Sequence, residues 1–301
     1  MPPLQLDSPT IIHHMAALDN SLAPPNSLEA IQECLDAGAA IIELDVTALA
    51  DHDYLLVHDP ELESETSGQG WVAECTRAHA RELFIKHAGI VTQYRAALLS
   101  DAVKLVQNHS SPSRLQLDFK NVIPLPNDGP LHRLINLIEP LGERVIVSTG
   151  ADWQLRRLRK LAPWLMLGFD IMWYVDWQPM GTPRDPRAFP KQRGAYGYFD
   201  DHMLATARHW SVAEYLRDRC ETLMGLVPDT SAFYLEHPLI MQSLEDGFNW
   251  AEALQERGIK LDAWTMDVTD PVVPATAPRF LAAGVDMFTT NTPRALAELL
   301  V

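Results

Sequence analysis

Positive charge is scarce in this chain of 301 residues. Its 24 Lys and Arg stand against 40 Asp and Glu, a formal net charge of −16. Such an imbalance repels polyanions and argues against nucleic acid or anionic membrane surfaces as partners. Any anionic small molecule bound here therefore needs a local cation. Cysteine is nearly absent: Cys34, Cys75 and Cys220 are odd in number and widely spaced. No disulfide framework or thiolate metal motif can be written from them, which fits a reducing compartment. No run of about 18 apolar residues occurs, so no transmembrane segment is expected. The opening MPPLQLDSPTIIHH has neither the basic nor the apolar stretch of a secretion signal, and a cytoplasmic location is the expectation. No GxGxxG or Walker loop follows the first apolar run, which counts against a nucleotide-binding sheet. Nothing in the composition sets the oligomeric state.

Hydrophobic residues make up 47% of the chain, enough for a large core. Short apolar runs alternate with longer helical patterns. TIIHH (10–14), AAIIELDV (39–46), RLQLDFK (114–120), RVIVST (144–149), LMLGFD (165–170), AFYLE (232–236), KLDAWTM (260–266) and DMFTT (286–290) read as strands. Helices are predicted over 27–37, 96–107, 131–138, 153–161, 210–221, 249–257 and 278–283, and from Arg294. YLLVH (54–58) reads as a short extra strand in a small hairpin after the second strand. Strand–helix alternation with about eight strands predicts an α/β chain folded as a (β/α)8 TIM barrel, a single domain over 1–301. The rhythm breaks between the fifth and sixth strands, where a long loop insertion is expected over about 171–230.

Side chains at i and i+2 on a strand share a face. Glu43 and Asp45 in IIELDV therefore point one way, and Ile42, Leu44 and Val46 the other. Two carboxylates facing into a barrel repel each other and resist desolvation, and a hard divalent cation removes both problems. Oxygen ligands favour Mg²⁺ or Ca²⁺ over Zn²⁺. ExD is common, however, and alone it reads equally well as two solvated acids on an edge strand. In RLQLDFK, Asp118 and Lys120 share a face, so Asp118 could complete a three-acid site and Lys120 could hold a phosphate oxygen. The same pair also reads as an internal salt bridge. His13 and His14 end the first strand, and only one can face the axis. His58 ends YLLVH. Histidines at C-terminal strand ends stand where a barrel places its active site and suit acid–base work.

The run HMAALDNSLAPPNSLEAIQECLDAGAAIIELDVTALADHDYLLVHDPELESETSGQG, followed by LQLDFK, VIVSTGADWQLRRLRKLAP, AWTMD and GVDMFTTNTP, resembles the glycerophosphodiester phosphodiesterase family across about residues 10–170 and 232–295. The resemblance implies a divalent cation on Glu43, Asp45 and Asp118, and His14 and His58 as the acid–base pair. It also implies phosphate binding by Lys120, a pocket wall at Trp264, and a small-molecule or lipid phosphodiester as substrate. His14 is preferred to His13 because it leaves the shorter gap to the Pro-Asn-Ser helix start.

Three positions depart from the family pattern. Met15 stands where the family has Arg, Pro25 where it has Glu, and Asp118 where it has Glu. His-Met and Asp-x-Lys are similar to the related sphingomyelinase D branch. An alternative is thus a phospholipase D or sphingomyelinase D-like enzyme that releases the headgroup with cyclic phosphate formation. A non-catalytic phosphate-ligand binder is a second alternative. In the insertion, Trp173, Tyr174 and Trp177, with Tyr196, Tyr198 and Phe199, could enclose a quaternary ammonium or an acyl chain. Packing of the loop onto the barrel rim is the favoured reading.

Overall fold

The computed structural model of the chain describes Leu4 and residues 9–51, 53–125, 127–183 and 192–300. Among these, eight parallel strands form a closed barrel: β1 (Thr10–His13), β2 (Ile41–Ala48), β3 (Arg114–Phe119), β4 (Val145–Thr149), β5 (Met166–Asp170), β6 (Ala232–Glu236), β7 (Lys260–Trp264) and β8 (Met287–Thr290). Neighbours in sequence are neighbours in the sheet, and β1 pairs with both β8 and β2 to close it. This is a (β/α)8 barrel, as the strand–helix alternation predicts.

The alternation of side chains decides what each face does. Ile42, Leu44 and Val46 of β2 and Leu115, Leu117 and Phe119 of β3 are fully buried outside the barrel. There they join one continuous core with the inner faces of the helices, such as Ile31 and Leu35 of Leu28–Asp36 and Leu131 and Leu134 of Gly129–Ile138. Inside the barrel, Leu4, Ile12, Ile41, Ile146, Met166, Ala232 and Met287 form an apolar group that also includes Tyr234. Gly168 lies under the Tyr234 ring, where a Cβ would overlap it. Glycine on β5 therefore makes room for a bulky neighbour on β6.

Several boundaries differ from expectation for identifiable reasons. β1 stops at His13, and His14 opens a single 3₁₀ turn in which Met15 and Ala16 take positive φ. YLLVH is a strand only at Tyr54–Leu55, which pairs antiparallel with the end of β2. The expected hairpin is therefore present but only two residue pairs long, and a second, longer hairpin joins Phe84–His87 to Ile90–Arg95. A helix at His237–Glu245 was not expected; it follows β6 without an intervening loop and carries a proline in its first turn. The helix expected over 278–283 begins at Val273 and contains Pro278.

The insertion after β5 runs to the helix Val212–Leu226. Its middle, 184–191, lies outside the described residues. A capping box at Ser211 and Glu214 sets the start of that helix. None of the described helices is long and apolar enough to cross a membrane.

Candidate active site

β2 and β3 run in register, Glu43 beside Gln116 and Asp45 beside Asp118. The i, i+2 rule then carries Glu43, Asp45, Asp118 and Lys120 onto the inner face. One oxygen from each of the three acids lies within 4.8 Å of the others, a grouping able to hold a metal ion. The ligand type is hard oxygen, which suits Mg²⁺ or Ca²⁺. Glu43 and Asp45 are almost fully buried. The Lys120 ammonium bridges Asp45 and Asp118, 3.0 Å from Asp45 Oδ1 and also bonded to Asp118 Oδ2.

Each buried acid has a fixed donor. The Met15 N–H donates to Glu43 Oε2 at 2.7 Å, so the turn after β1 grips the acid of β2. Asn26 holds Asp45 twice, its Nδ2 donating to Oδ2 at 3.0 Å and its Oδ1 accepting from the Asp45 N–H at 3.3 Å. Asn26 takes φ 56°, a left-handed conformation that asparagine tolerates better than most residues. The next residue, Ser27, caps the helix through its Oγ. The Pro-Asn-Ser segment thus serves two purposes in adjacent residues.

The electrostatics are those of an under-compensated acid cluster. Burial, then the charges of Asp45 and Asp118, push the Glu43 carboxyl well above the ordinary glutamate value. Burial also raises Asp45, but Lys120, His58, Asn26 and His14 outweigh it and leave its carboxyl below the ordinary value. For Lys120 burial acts downward, and Asp118 and Asp45 more than reverse it. A cation among the three acids would relieve the repulsion on Glu43.

His14 and His58 both act on Asp45, and both have the same ring nitrogen occupied. His14 Nδ1 lies 2.9 Å from Asn291 Oδ1, while Asn291 Nδ2 donates to Asp267 Oδ2 at 2.8 Å. The amide orientation follows from Asp267, which can only accept when ionised, so His14 must carry its proton on Nδ1. His58 Nδ1 lies 3.0 Å from Asp59 Oδ1. Glu65 accepts the backbone N–H groups of both His58 and Asp59, at 2.7 and 2.9 Å, and so shapes the loop that carries the ring. Each histidine is left with Nε2 for chemistry. His13 faces away from the axis; its Nδ1 meets Ala17 O at 2.9 Å, and burial lowers its pKa.

Trp264 ends β7, half-buried beside the interior apolar group. The aromatics of the insertion mostly pack downward. Trp173 stacks on Trp153 at 6.2 Å and lies over Gly150 at the end of β4. The Tyr174 hydroxyl donates to Asp152 Oδ1 at 2.6 Å. Trp177 is half-buried against the core, and Tyr196 and Tyr198 are buried, Tyr196 stacked at 4.0 Å on Tyr215. Trp173, Tyr174, Trp177 and Phe199 are half-buried, so each keeps some surface open to solvent.

Sequence reasoning missed Asn26, Glu65, Asp267 and Asn291. It also missed Asp170, the last residue of β5, whose carboxyl burial pushes well above the ordinary aspartate value and whose Oδ1 accepts from Met172 N at 3.0 Å. The strand pattern LMLGFD could have given Asp170, because it shares parity with the interior residues Met166 and Gly168.

The model of the glycerophosphoryl diester phosphodiesterase family matches residues 19–197, more than half of the chain. This chain belongs to that family. It is accordingly a phosphoric diester hydrolase by family. A glycerophosphodiester phosphodiesterase of Caldanaerobacter subterraneus subsp. tengcongensis is 23% identical over 286 residues, covering 94% of each chain. Among solved structures, a glycerophosphodiester phosphodiesterase from Parabacteroides distasonis matches with a TM-score of 0.67 at 16% identity, covering 97% of this chain and 96% of that one. A phosphodiesterase from Oleispira antarctica, in complex with the product sn-glycerol-3-phosphate, matches with a TM-score of 0.62 at 16% identity, with the same coverage. At these identities the structural matches speak for the fold.

Proposed function

We propose that this phosphodiesterase cleaves glycerophosphodiesters to glycerol phosphate and an alcohol, with a divalent cation, Mg²⁺ or Ca²⁺, on Glu43, Asp45 and Asp118. The observation that carries the reading is the three-acid cluster with Lys120 at the C-terminal mouth of the barrel, in a chain of this family. The product bound by the Oleispira relative supports the product assignment.

The Nε2 of one histidine takes the proton of the attacking oxygen, from water or from the substrate's own glycerol hydroxyl. The Nε2 of the other gives a proton to the departing alkoxide as the P–O bond breaks. Lys120 contacts a phosphate oxygen, Trp264 lines the pocket, and the open ring surfaces of Trp173 and Trp177 border it. When bound, the cation supplies charge neutralisation at the phosphate.

Hydrolysis of glycerophosphocholine, followed by phosphorus NMR with added Mg²⁺ or Ca²⁺ and then with chelator, tests this. The expected result is cation-dependent formation of a linear phosphomonoester, lost in His14→Ala and His58→Ala. Turnover indifferent to chelator and to both substitutions would refute the mechanism. A cyclic product would identify the substrate hydroxyl as the nucleophile.

A further inference from the structure

The interior of the barrel is ordered in layers. Register advances about one residue per strand around such a barrel, so each layer takes one side chain from every second strand. The strand pairings give the membership. Ile12, Gln116, Gly168 and Asp262 share one layer, from β1, β3, β5 and β7. Glu43, Ser148, Tyr234 and Thr289 share the next, from β2, β4, β6 and β8. Asp118 and Asp170 stand in the layer above that, and Asp45 higher still. Contacts between layers follow this order. Thr289 Oγ1 donates to Asp262 Oδ2 at 2.9 Å, Gln116 Nε2 donates to Ser148 Oγ at 3.2 Å, and the Tyr234 ring covers Gly168. Tyr234 therefore faces Glu43 across the barrel, level with the deepest of the three acids and below the other two.

Three polar groups at this depth have no partner among the described residues. Gln116 Oε1 and Asp262 Oδ1 are buried acceptors without a donor, in side chains 4% and 0% exposed. Tyr234 is 4% exposed, and its hydroxyl makes no hydrogen bond. Burial, then the charges of Asp262, Asp118, Glu43 and Asp170, push the phenol well above its ordinary value, so it stays protonated among four carboxyl groups. Buried polar groups are nearly always paired, and each one left unpaired destabilises the fold. A glycine inside a strand destabilises it further, and Gly168 is what seats the ring. Phenylalanine would fill the same space without the unpaired hydroxyl. The floor beneath the acid cluster is thus rich in acceptors and short of donors. A hard divalent cation takes six or more oxygen ligands, of which three acids supply part and water supplies others. Water on such a cation has given its lone pair to the metal and acts as a donor, strengthened by the charge.

We infer that Tyr234 is a positioning residue for the cation. Its hydroxyl accepts a hydrogen bond from a water ligand on the deep face of the ion and donates its own towards the unpaired acceptors of Gln116 and Asp262. The inference rests on the cation reading proposed above. It gives Tyr234 no contact with substrate, because the phosphodiester reaches the ion from the mouth, on the opposite face.

The experiment uses the full chain, stripped with chelator and titrated with Mg²⁺, Ca²⁺ or Mn²⁺. Calorimetry reads cation affinity, thermal scans read stability, and water-proton relaxation reads the water held on bound Mn²⁺. Tyr234→Phe keeps the ring over Gly168 and removes only the hydroxyl. In chelator it should melt at or above the wild-type temperature, yet it should bind the cation about tenfold more weakly. Water on its bound Mn²⁺ should exchange faster than in the wild type. Gln116→Met removes one of the unpaired acceptors and should weaken the cation in the same direction. Tyr54→Phe is the control, because the Tyr54 hydroxyl donates to Pro130 O at 2.6 Å in the core outside the barrel. It should lower the melting temperature equally with and without the cation and leave affinity unchanged.

Equal cation affinity in the wild type and Tyr234→Phe would overturn the inference and leave the cation reading standing. So would a loss of stability in Tyr234→Phe that is the same with and without the cation, since the hydroxyl would then serve only the fold. A wild type that binds none of the three ions would remove the cation reading and this inference with it.

Discussion

Replacing Asn291 with alanine isolates what a partner does for His14, one of the two rings proposed for proton transfer. The substitution removes the 2.9 Å contact to His14 Nδ1 and the 2.8 Å bond to Asp267 Oδ2. It leaves the backbone N–H of residue 291 on Asp267 Oδ1 at 2.6 Å, with the Thr290 hydroxyl on the same oxygen at 3.0 Å. Asp267 therefore keeps two donors, both on Oδ1, while its Oδ2 and the His14 Nδ1 lose the partner that Asn291 supplied. The catalytic loss has a floor and a ceiling. One neutral hydrogen bond is worth roughly 0.5–1.5 kcal/mol, which at about 1.4 kcal/mol per factor of ten is roughly 2- to 12-fold in rate. Losing the acid–base group altogether costs about 10²–10⁴. Asn291→Ala is expected between these, near the lower limit, and in kcat with KM unchanged, since the contact lies on the side of the ring away from Nε2. The double variant with His14→Ala decides the matter. If Asn291 acts only through His14, the double variant is no slower than His14→Ala alone. Rates that fall by the product of the two single effects would refute the link.

Three further outcomes follow from the same geometry. Glu43→Gln should raise the melting temperature of chelated protein and abolish stabilisation by added Mg²⁺ or Ca²⁺. Because the folded carboxyl titrates above the ordinary value of 4.5, the wild type should lose stability relative to the variant as pH rises from there, and thermal scans across pH check the sign. Lys120→Met leaves Asp45 and Asp118 without their shared cation and should lower metal-free stability by about 3 kcal/mol in urea unfolding, partly restored by a divalent ion. Gly168→Ala places a methyl against the Tyr234 ring and should cost roughly 1–3 kcal/mol; unchanged stability would mean that the ring can move aside.

Much of the site could be read from strand parity. The spacing of Glu43, Asp45, Asp118 and Lys120 needs only period-two alternation and two strands in register to bring the four together, and β2 and β3 provide that. The same alternation sent Ile42, Leu44 and Val46 to the helical layer. Asn291 was harder to see, because its partner His14 is 277 residues away and the contact exists only once the barrel closes. Asn26 stands directly before a helix start, where an asparagine commonly caps, whereas the cap is Ser27 and the Asn26 amide serves Asp45. The helix His237–Glu245 was hidden because nothing separates it from β6, and turn residues are what punctuate a sequence. The insertion aromatics were visible as a group, but whether Tyr174 faced substrate or Asp152 depended on a loop path that composition does not specify.

The segment after β2 has an apolar cluster of its own, in which Leu55, Val57, Leu62, Val72, Leu83, Ile85 and Leu98 pack apart from the main core. His58 rides on that cluster, while the three acids belong to the barrel wall. Half of the proposed proton-transfer pair thus depends on a small unit packed apart from the main core. Local opening of such a unit costs less than global unfolding. Mild denaturant or heat will therefore silence catalysis while the eight strands are still paired, and the enzyme's working range will be narrower than the melting curve of its barrel.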